Sequence, residues 1–112
     1  MDRGELWVGN LSPTVGRKQA GVRPLLIVSA DTYNSGPSQL VVVVPLTSSL
    51  RDLPFRVRVN PPEGGLRLPS DVLCDQVRAV AKARLTSAIG HISQETLAAV
   101  EERLRSLFDL YP

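Results

Sequence analysis

Two runs along the chain carry no polar face. Leu25-Leu26-Ile27-Val28 and Leu40-Val41-Val42-Val43-Val44 are apolar throughout, the pattern of strands covered on both sides. They predict buried strands over Arg23 to Ala30 and Leu40 to Leu46. Other segments alternate. Leu6 and Val8 are set against Trp7 and Gly9 in a first strand, Glu5 to Asn10. Phe55-Arg56-Val57-Arg58-Val59 alternates strictly, with the apolar residues inward and both arginines on the open face. Asp71 to Val80 reads as one further strand, with Val72, Cys74 and Gln76 on one face and Leu73, Asp75 and Val77 on the other. Ser87 to Ile92 reads as a last short one. Polar, Pro- and Gly-rich connections separate them at 12–20, 31–37, 48–53 and 60–68. The second of these has room for one helical turn begun by an Asp31 cap, and 81–85 for another. After Ser93 the period changes from two to helical. Ser93 is placed as an N-cap with Gln94 and Glu95 in the first turn. Leu97, Val100, Leu104, Leu107, Phe108 and Tyr111 then form one apolar stripe on a helix ending near Leu110. Strands first and one helix last predict a mainly β fold: a small, curled antiparallel sheet closed by a C-terminal helix.

Length and composition narrow the class. The 112 residues fit one domain, spanning 1–112. No apolar run has the length of a membrane span, and the charged, then amphipathic start is not the pattern of a secretory leader. The one cysteine, Cys74, cannot form an internal disulfide and fits a reducing cytoplasm. One Cys and one His do not make a protein-built zinc site, so neither metal nor other cofactor is expected. The net charge is +2, unevenly spread: from Ser93 onwards four acids face two bases, −2, which leaves +4 on the body. A basic body favours nucleic acid, although ordinary surface charge accounts for that excess as well. Eleven of the thirteen bases are arginine. A GC-rich genome gives the same skew, so it carries little weight.

The candidate chemistry lies in Gly16-Arg17-Lys18-Gln19-Ala20-Gly21-Val22-Arg23-Pro24. A polar, glycine-bounded loop ends in an arginine locked against a proline, at the mouth of a buried strand. Proline fixes its own φ and biases the residue before it towards extended backbone. Arg23 is therefore a held cation, suited to an anionic substrate such as phosphate. Pairing with a nearby carboxylate fits the loop equally well. The second buried run ends in Pro45-Leu46-Thr47-Ser48, a hydroxyl cluster.

Taken in order, GRKQAGVRPLLIVS and VVVVPLTS resemble the MazF/PemK/Kid family of toxin endoribonucleases. So do the opening Arg3-Gly4-Glu5-Leu6-Trp7-Val8, the loop entry Leu11-Ser12-Pro13-Thr14, and the later Pro54-Phe55-Arg56-Val57, Glu63-Gly64-Gly65-Leu66 and Leu73-Cys74-Asp75-Gln76-Val77-Arg78. The ordered set covers nearly the whole chain. The resemblance implies an SH3-like antiparallel β-barrel of the MazF/Kid/CcdB toxin type. It implies catalytic roles for Arg23 and Thr47, and RNA contacts for Arg17, Lys18, Gln19, Ser48, Gln76 and Arg78. It also implies cleavage of single-stranded messenger RNA to 2′,3′-cyclic phosphate and 5′-hydroxyl ends, a homodimer, and an acidic, partly disordered antitoxin as partner. Many relatives carry a glutamate in a G-x-E-Q-x-G loop, where this chain has Lys18. Either that acid is dispensable and Lys18 adds a phosphate contact, or activity is reduced, down to a member that binds RNA without cutting it. Related small barrels poison DNA gyrase by contact alone; the Arg23 and Thr47 pair favours the nuclease.

The remaining residues read more plainly. Arg56 and Arg58 are expected on a solvated strand face, His91 as a structural or surface histidine, Cys74 as a small buried hydrophobe, and Trp7 as a core or barrel-edge aromatic.

Overall fold

A computed structural model describes residues 1–11 and 21–110. Seven strands appear in it: β1 (Glu5–Asn10), β2 (Val22–Ile27), β3 (Leu40–Thr47), β4 (Arg56–Val59), β5 (Ser70–Leu73), β6 (Arg78–Ala81) and β7 (Leu85–His91). A single helical turn, α1 (Asp31–Asn34), links β2 to β3, and α2 (Gln94–Leu107) follows β7. Short 3-10 turns occupy Glu63–Gly65, Cys74–Gln76 and Lys82–Arg84. The strands form one curled antiparallel sheet in the order β4-β5-β3-β2-β1-β7, with β6 also paired to β3. The path is barrel-like but open, because its end strands, β4 and β7, do not pair with each other among the described residues.

The two apolar runs become the middle of this sheet, as their lack of a polar face requires. Leu26 pairs with Val44 and with Leu6, while Leu25 pairs with Pro45 and with Trp7. Cross-strand partners share a face, so the sheet carries two cores. One face packs Leu6, Leu26, Val44, Leu46, Val57 and Val72 against Val100, Leu97 and Leu104 of α2. The other gathers Leu25, Ile27, Val41, Val43, Val80 and Leu85, with Met1, Trp7 and Leu11 at its margin. Trp7 is half-buried and its indole N–H donates to Glu5 Oε1 at 2.9 Å, in keeping with an edge aromatic. Cys74 is fully buried, and burial pushes its thiol up to about 11, so it stays neutral.

Several boundaries differ from the sequence reading. The expected strand Asp71 to Val80 is two strands separated by the Cys74–Gln76 turn. β3 is long and its free edge takes two partners, β6 over Leu40–Val43 and β5 over Leu46–Thr47. The chain must turn a corner to pass from one to the other, and residue alternation does not reveal a corner. Gln76 therefore lies on that turn, exposed, rather than on the inner face of a strand. The Asp31 cap is not made: Ala30 is the N-cap without a side-chain bond, and Asp31 Oδ1 accepts instead from the Arg3 amide at 2.7 Å. β2 is shorter than expected, and β7 begins at Leu85.

Ser93 does cap α2, its Oγ accepting from the Thr96 amide at 3.1 Å. The helix stops at Leu107, and Phe108, expected on the apolar stripe, is 56% exposed. It sits at the C-cap, beyond the residues that face the sheet. Tyr111 lies outside the described residues. No helix among the described residues is long and apolar enough to cross a membrane.

Glycine is required where the 60s connection meets β7. Gly64 and Gly65 have φ of +67° and +76°. A Cβ on Gly65 would meet the Ile89 carbonyl, and one on Gly64 the Leu6 side chain. This close approach fixes the connection that carries Leu66, Arg67 and Leu68 to the mouth of the sheet.

Candidate functional site: a groove at the splayed ends of β2 and β3

Two prolines shape the site. Pro24 and Pro45 have no N–H to give to a ladder. The β2–β3 pairing accordingly runs from Ile27↔Val43 to Leu25↔Pro45 and ends there. Continuing the same register two residues further sets Arg23 across from Thr47, beyond the last pair. The strand ends beyond that pair border an open groove of about 380 Å³. Val22, Arg23 and Pro24 form one wall, Leu46, Thr47 and Ser48 another, and Leu66, Arg67, Leu68 and Ser70 the third. Arg23 and Thr47 are each half-buried, whereas Ser48 and Arg67 are exposed at the rim.

Among the described residues the lining holds two arginines and no carboxylate. Among the described residues, Arg23 and Arg67 have no ion-pair partner, so their charge is available to an anion. That removes the carboxylate-pairing reading of Arg23 as far as the described residues go. The Ser49 amide donates to Thr47 Oγ1 at 3.1 Å. With that lone pair occupied, the hydroxyl proton of Thr47 is free to be donated to something else. The Ser70 hydroxyl is turned away, donating to the Leu68 carbonyl at 3.0 Å. No group of three His, Cys, Asp or Glu side chains that could hold a metal occurs among the described residues.

Of the expected site residues, Arg23, Thr47 and Ser48 meet in this groove. Gln76 lines a different depression, with Phe55, Arg56 and Leu73. Arg78, exposed on β6, pairs with Val43. It shares a sheet face with Thr47, but four residues along β3, about 13 Å. Arg17, Lys18 and Gln19 lie outside the described residues. His91 is exposed, its Nδ1 2.6 Å from the Ile92 carbonyl, on the far edge strand.

Arg67 was not anticipated. It stands in a Pro/Gly-rich connection with no pattern of its own, and reaches the groove through the glycine turn before it. Asp71 was also missed. It is 1% exposed and receives Arg58 Nε at 2.6 Å, Arg56 Nη1 at 3.1 Å and the Arg51 amide at 2.8 Å. Burial alone would raise its pKa; the hydrogen bonds from Arg58, the Arg51 amide and Arg56 outweigh that and hold the carboxyl below the usual Asp range. Arg56 and Arg58 do share the face opposite Val57 and Val59, as their alternation requires. Arg58 is exposed, as expected of a solvated face, whereas Arg56 is half-buried, and a buried carboxylate holds both.

Residues 2–108 match the family model described as PemK-like, MazF-like toxin of type II toxin-antitoxin system. The chain belongs to this family. Endoribonuclease EndoA of Bacillus subtilis is 34% identical over 104 residues, covering 92% of this chain and 90% of that protein. Endoribonuclease MazF9 of Mycobacterium tuberculosis is 34% identical over 116 residues, covering 99% and 98%. Among solved structures, an endoribonuclease in complex with its cognate antitoxin from a mycobacterial species superposes with a TM-score of 0.82 at 26% identity, covering 100% of this chain and 99% of that one. MazF from Deinococcus radiodurans gives 0.80 at 31% identity, covering 97% and 96%. The seven-stranded sheet with its C-terminal helix is thus the fold of this toxin family.

Proposed function

We propose that the protein is a sequence-specific, metal-independent endoribonuclease acting on single-stranded RNA, chiefly messenger RNA, as the toxin of a type II toxin–antitoxin pair. The observation that carries the reading is that Arg23 and Thr47 line one groove, just beyond the last β2–β3 pair, Leu25↔Pro45. The named activity of the relatives supports it. RNA can be cut by its own 2′-hydroxyl, which gives up its proton to solvent, attacks the adjacent phosphorus and expels the 5′-oxygen, which takes up a proton in turn. The protein must align that hydroxyl and stabilise charge on the non-bridging oxygens. Prepositioned donors are usually the largest contribution to such a step. Arg23 supplies two N–H groups and a permanent charge, and Thr47 adds an O–H. A guanidinium stays protonated, so Arg23 acts electrostatically. The products are a 2′,3′-cyclic phosphate and a 5′-hydroxyl. Metal independence is supported by the lining: among the described residues it offers arginines and hydroxyls, and no carboxylate or imidazole.

Arg67 and Ser48 at the rim are assigned to the RNA backbone. The apolar wall of Val22, Leu66 and Leu68 is assigned to splayed bases, which single strands present and duplexes do not. Arg17, Lys18, Gln19, Gln76 and Arg78 extend the RNA-binding surface, the last two through a homodimer. The whole chain acts as one domain in the cytoplasm, and a small acidic antitoxin binds the basic groove and blocks it. Purified protein is expected to cut a long single-stranded RNA at discrete sites in excess EDTA. Loss of cutting in chelator would refute metal independence. Growth inhibition without any RNA cleavage would point instead to the gyrase-poison mode.

A further inference from the structure

Asp71 lies deeper than any other carboxylate among the described residues, and it sits next to the reaction centre. Its strand pairs it directly with Thr47. We infer that Asp71 is a positioning residue: acting through Arg56 and Ser49, it sets the orientation of the Thr47 hydroxyl. This rests on the assignment of Thr47 as a catalytic donor.

The links are continuous. Asp71 Oδ2 accepts from Arg56 Nη1 at 3.1 Å, and the same nitrogen donates to the Ser49 carbonyl at 2.8 Å. Ser49 in turn gives its amide to Thr47 Oγ1. Asp71 Oδ2 also takes the Arg51 amide at 2.8 Å, so the turn after β3 is tied to the carboxylate at two points. Arg58 Nε holds the other oxygen at 2.6 Å and fixes the carboxylate plane. Leu50, Arg51, Asp52 and Leu53 are exposed and bring little packing of their own. The turn is ordered by these bonds rather than by a core. Without them the Ser49 amide leaves Oγ1, and the Thr47 side chain regains its other rotamers.

Asp71→Asn tests this with little change of shape. An amide N–H₂ placed among three donors cannot accept from all of them. In the absence of RNA, the Ser49 and Arg51 amides are expected to lose hydrogen-exchange protection. With a cleavable RNA, kcat is expected to fall about tenfold with KM nearly unchanged, the size of one lost charge-assisted hydrogen bond. In a Thr47→Val background the same substitution should cost no further activity, because it acts through Thr47. Unchanged exchange at Ser49, or losses that multiply in the double variant, would overturn the inference. Should Asp71→Asn not fold, Arg56→Met decides. It breaks the bridge to Ser49 while Asp71 keeps Arg58 and the Arg51 amide, so the Ser49 amide is expected to lose protection and the Arg51 amide to keep it, with the same kinetic outcomes. A wild-type protein that cuts no RNA would refute the nuclease assignment, whereas the exchange result stands or falls without substrate.

Discussion

Replacing Arg23 by alanine separates catalysis from folding. The side chain is half-buried at the lip of the groove and has no ion-pair partner among the described residues. Its removal leaves no buried charge stranded, so the stability change should stay within about 0.5 kcal/mol. The catalytic effect is far larger. A guanidinium about 4 Å from a developing negative charge contributes roughly 4 kcal/mol at an effective dielectric near 20. Loss of one prepositioned donor from an oxyanion site costs on the order of 10²–10³ in kcat. The two routes agree on a loss of about 10³, with Tm nearly unchanged. Arg23→Lys keeps the charge but gives up the two-pronged geometry, and should recover part of the lost rate. The assay is single-turnover cleavage of a fluorescently labelled RNA containing one mapped site, beside thermal unfolding of each variant. Cleavage within a few fold of wild type, in a folded Arg23→Ala protein, would refute the assigned role. A large fall in Tm would show that the arginine is structural.

Three further outcomes follow from the same geometry. Thr47→Val keeps the shape and removes the hydroxyl; cleavage should fall about 10- to 100-fold, the range for a hydrogen bond to a charged group, and equal rates would count against the donor role. Ser93→Ala removes the cap on α2 and should cost about 1 kcal/mol, roughly 4 °C in Tm, without altering cleavage. Asp71 and Glu63 both have folded-state pKa values below their ordinary ones: burial pushes each up, and hydrogen bonds from Arg58, Arg51 and Arg56 in one case, and from Thr96 and Ser93 in the other, more than offset it. Depressed carboxyls stabilise the fold above their unfolded values and lose that contribution as pH falls through the folded ones. Stability should therefore decline below about pH 4, and the decline should be shallower in Asp71→Asn; equal acid sensitivity in wild type and variant would contradict this.

What could be read from the chain depended on whether a signal was local. The two apolar runs announced the central strands, because a strand covered on both faces leaves no place for polar residues. Ser93 announced the helix, because capping is a contact across three residues. Arg23 was legible through the proline after it and Thr47 through the family resemblance, and the ladder between their strands ends at Leu25↔Pro45, beside the groove. Asp71 was not legible. In the sequence it is one acid in an alternating segment, and its partners are strung along residues 51 to 58. Their meeting depends on β4 pairing with β5, with Arg58 opposite Asp71. Arg67 was hidden for a similar reason: its position is set by Gly64 and Gly65 packing under β7. The corner at Cys74–Gln76 follows from the curvature of the whole sheet, which no stretch of ten residues encodes.

The central claim is that the RNA's own 2′-hydroxyl attacks, with Arg23 and Thr47 stabilising the phosphorane-like charge. It is tested most directly by a substrate bearing a single 2′-deoxy nucleotide on the 5′ side of a mapped cut, incubated with the protein in excess EDTA. The all-ribose RNA should be cleaved to a 2′,3′-cyclic phosphate, and the singly substituted RNA should remain intact at that position. Cleavage of the 2′-deoxy substrate at the same bond would contradict the account.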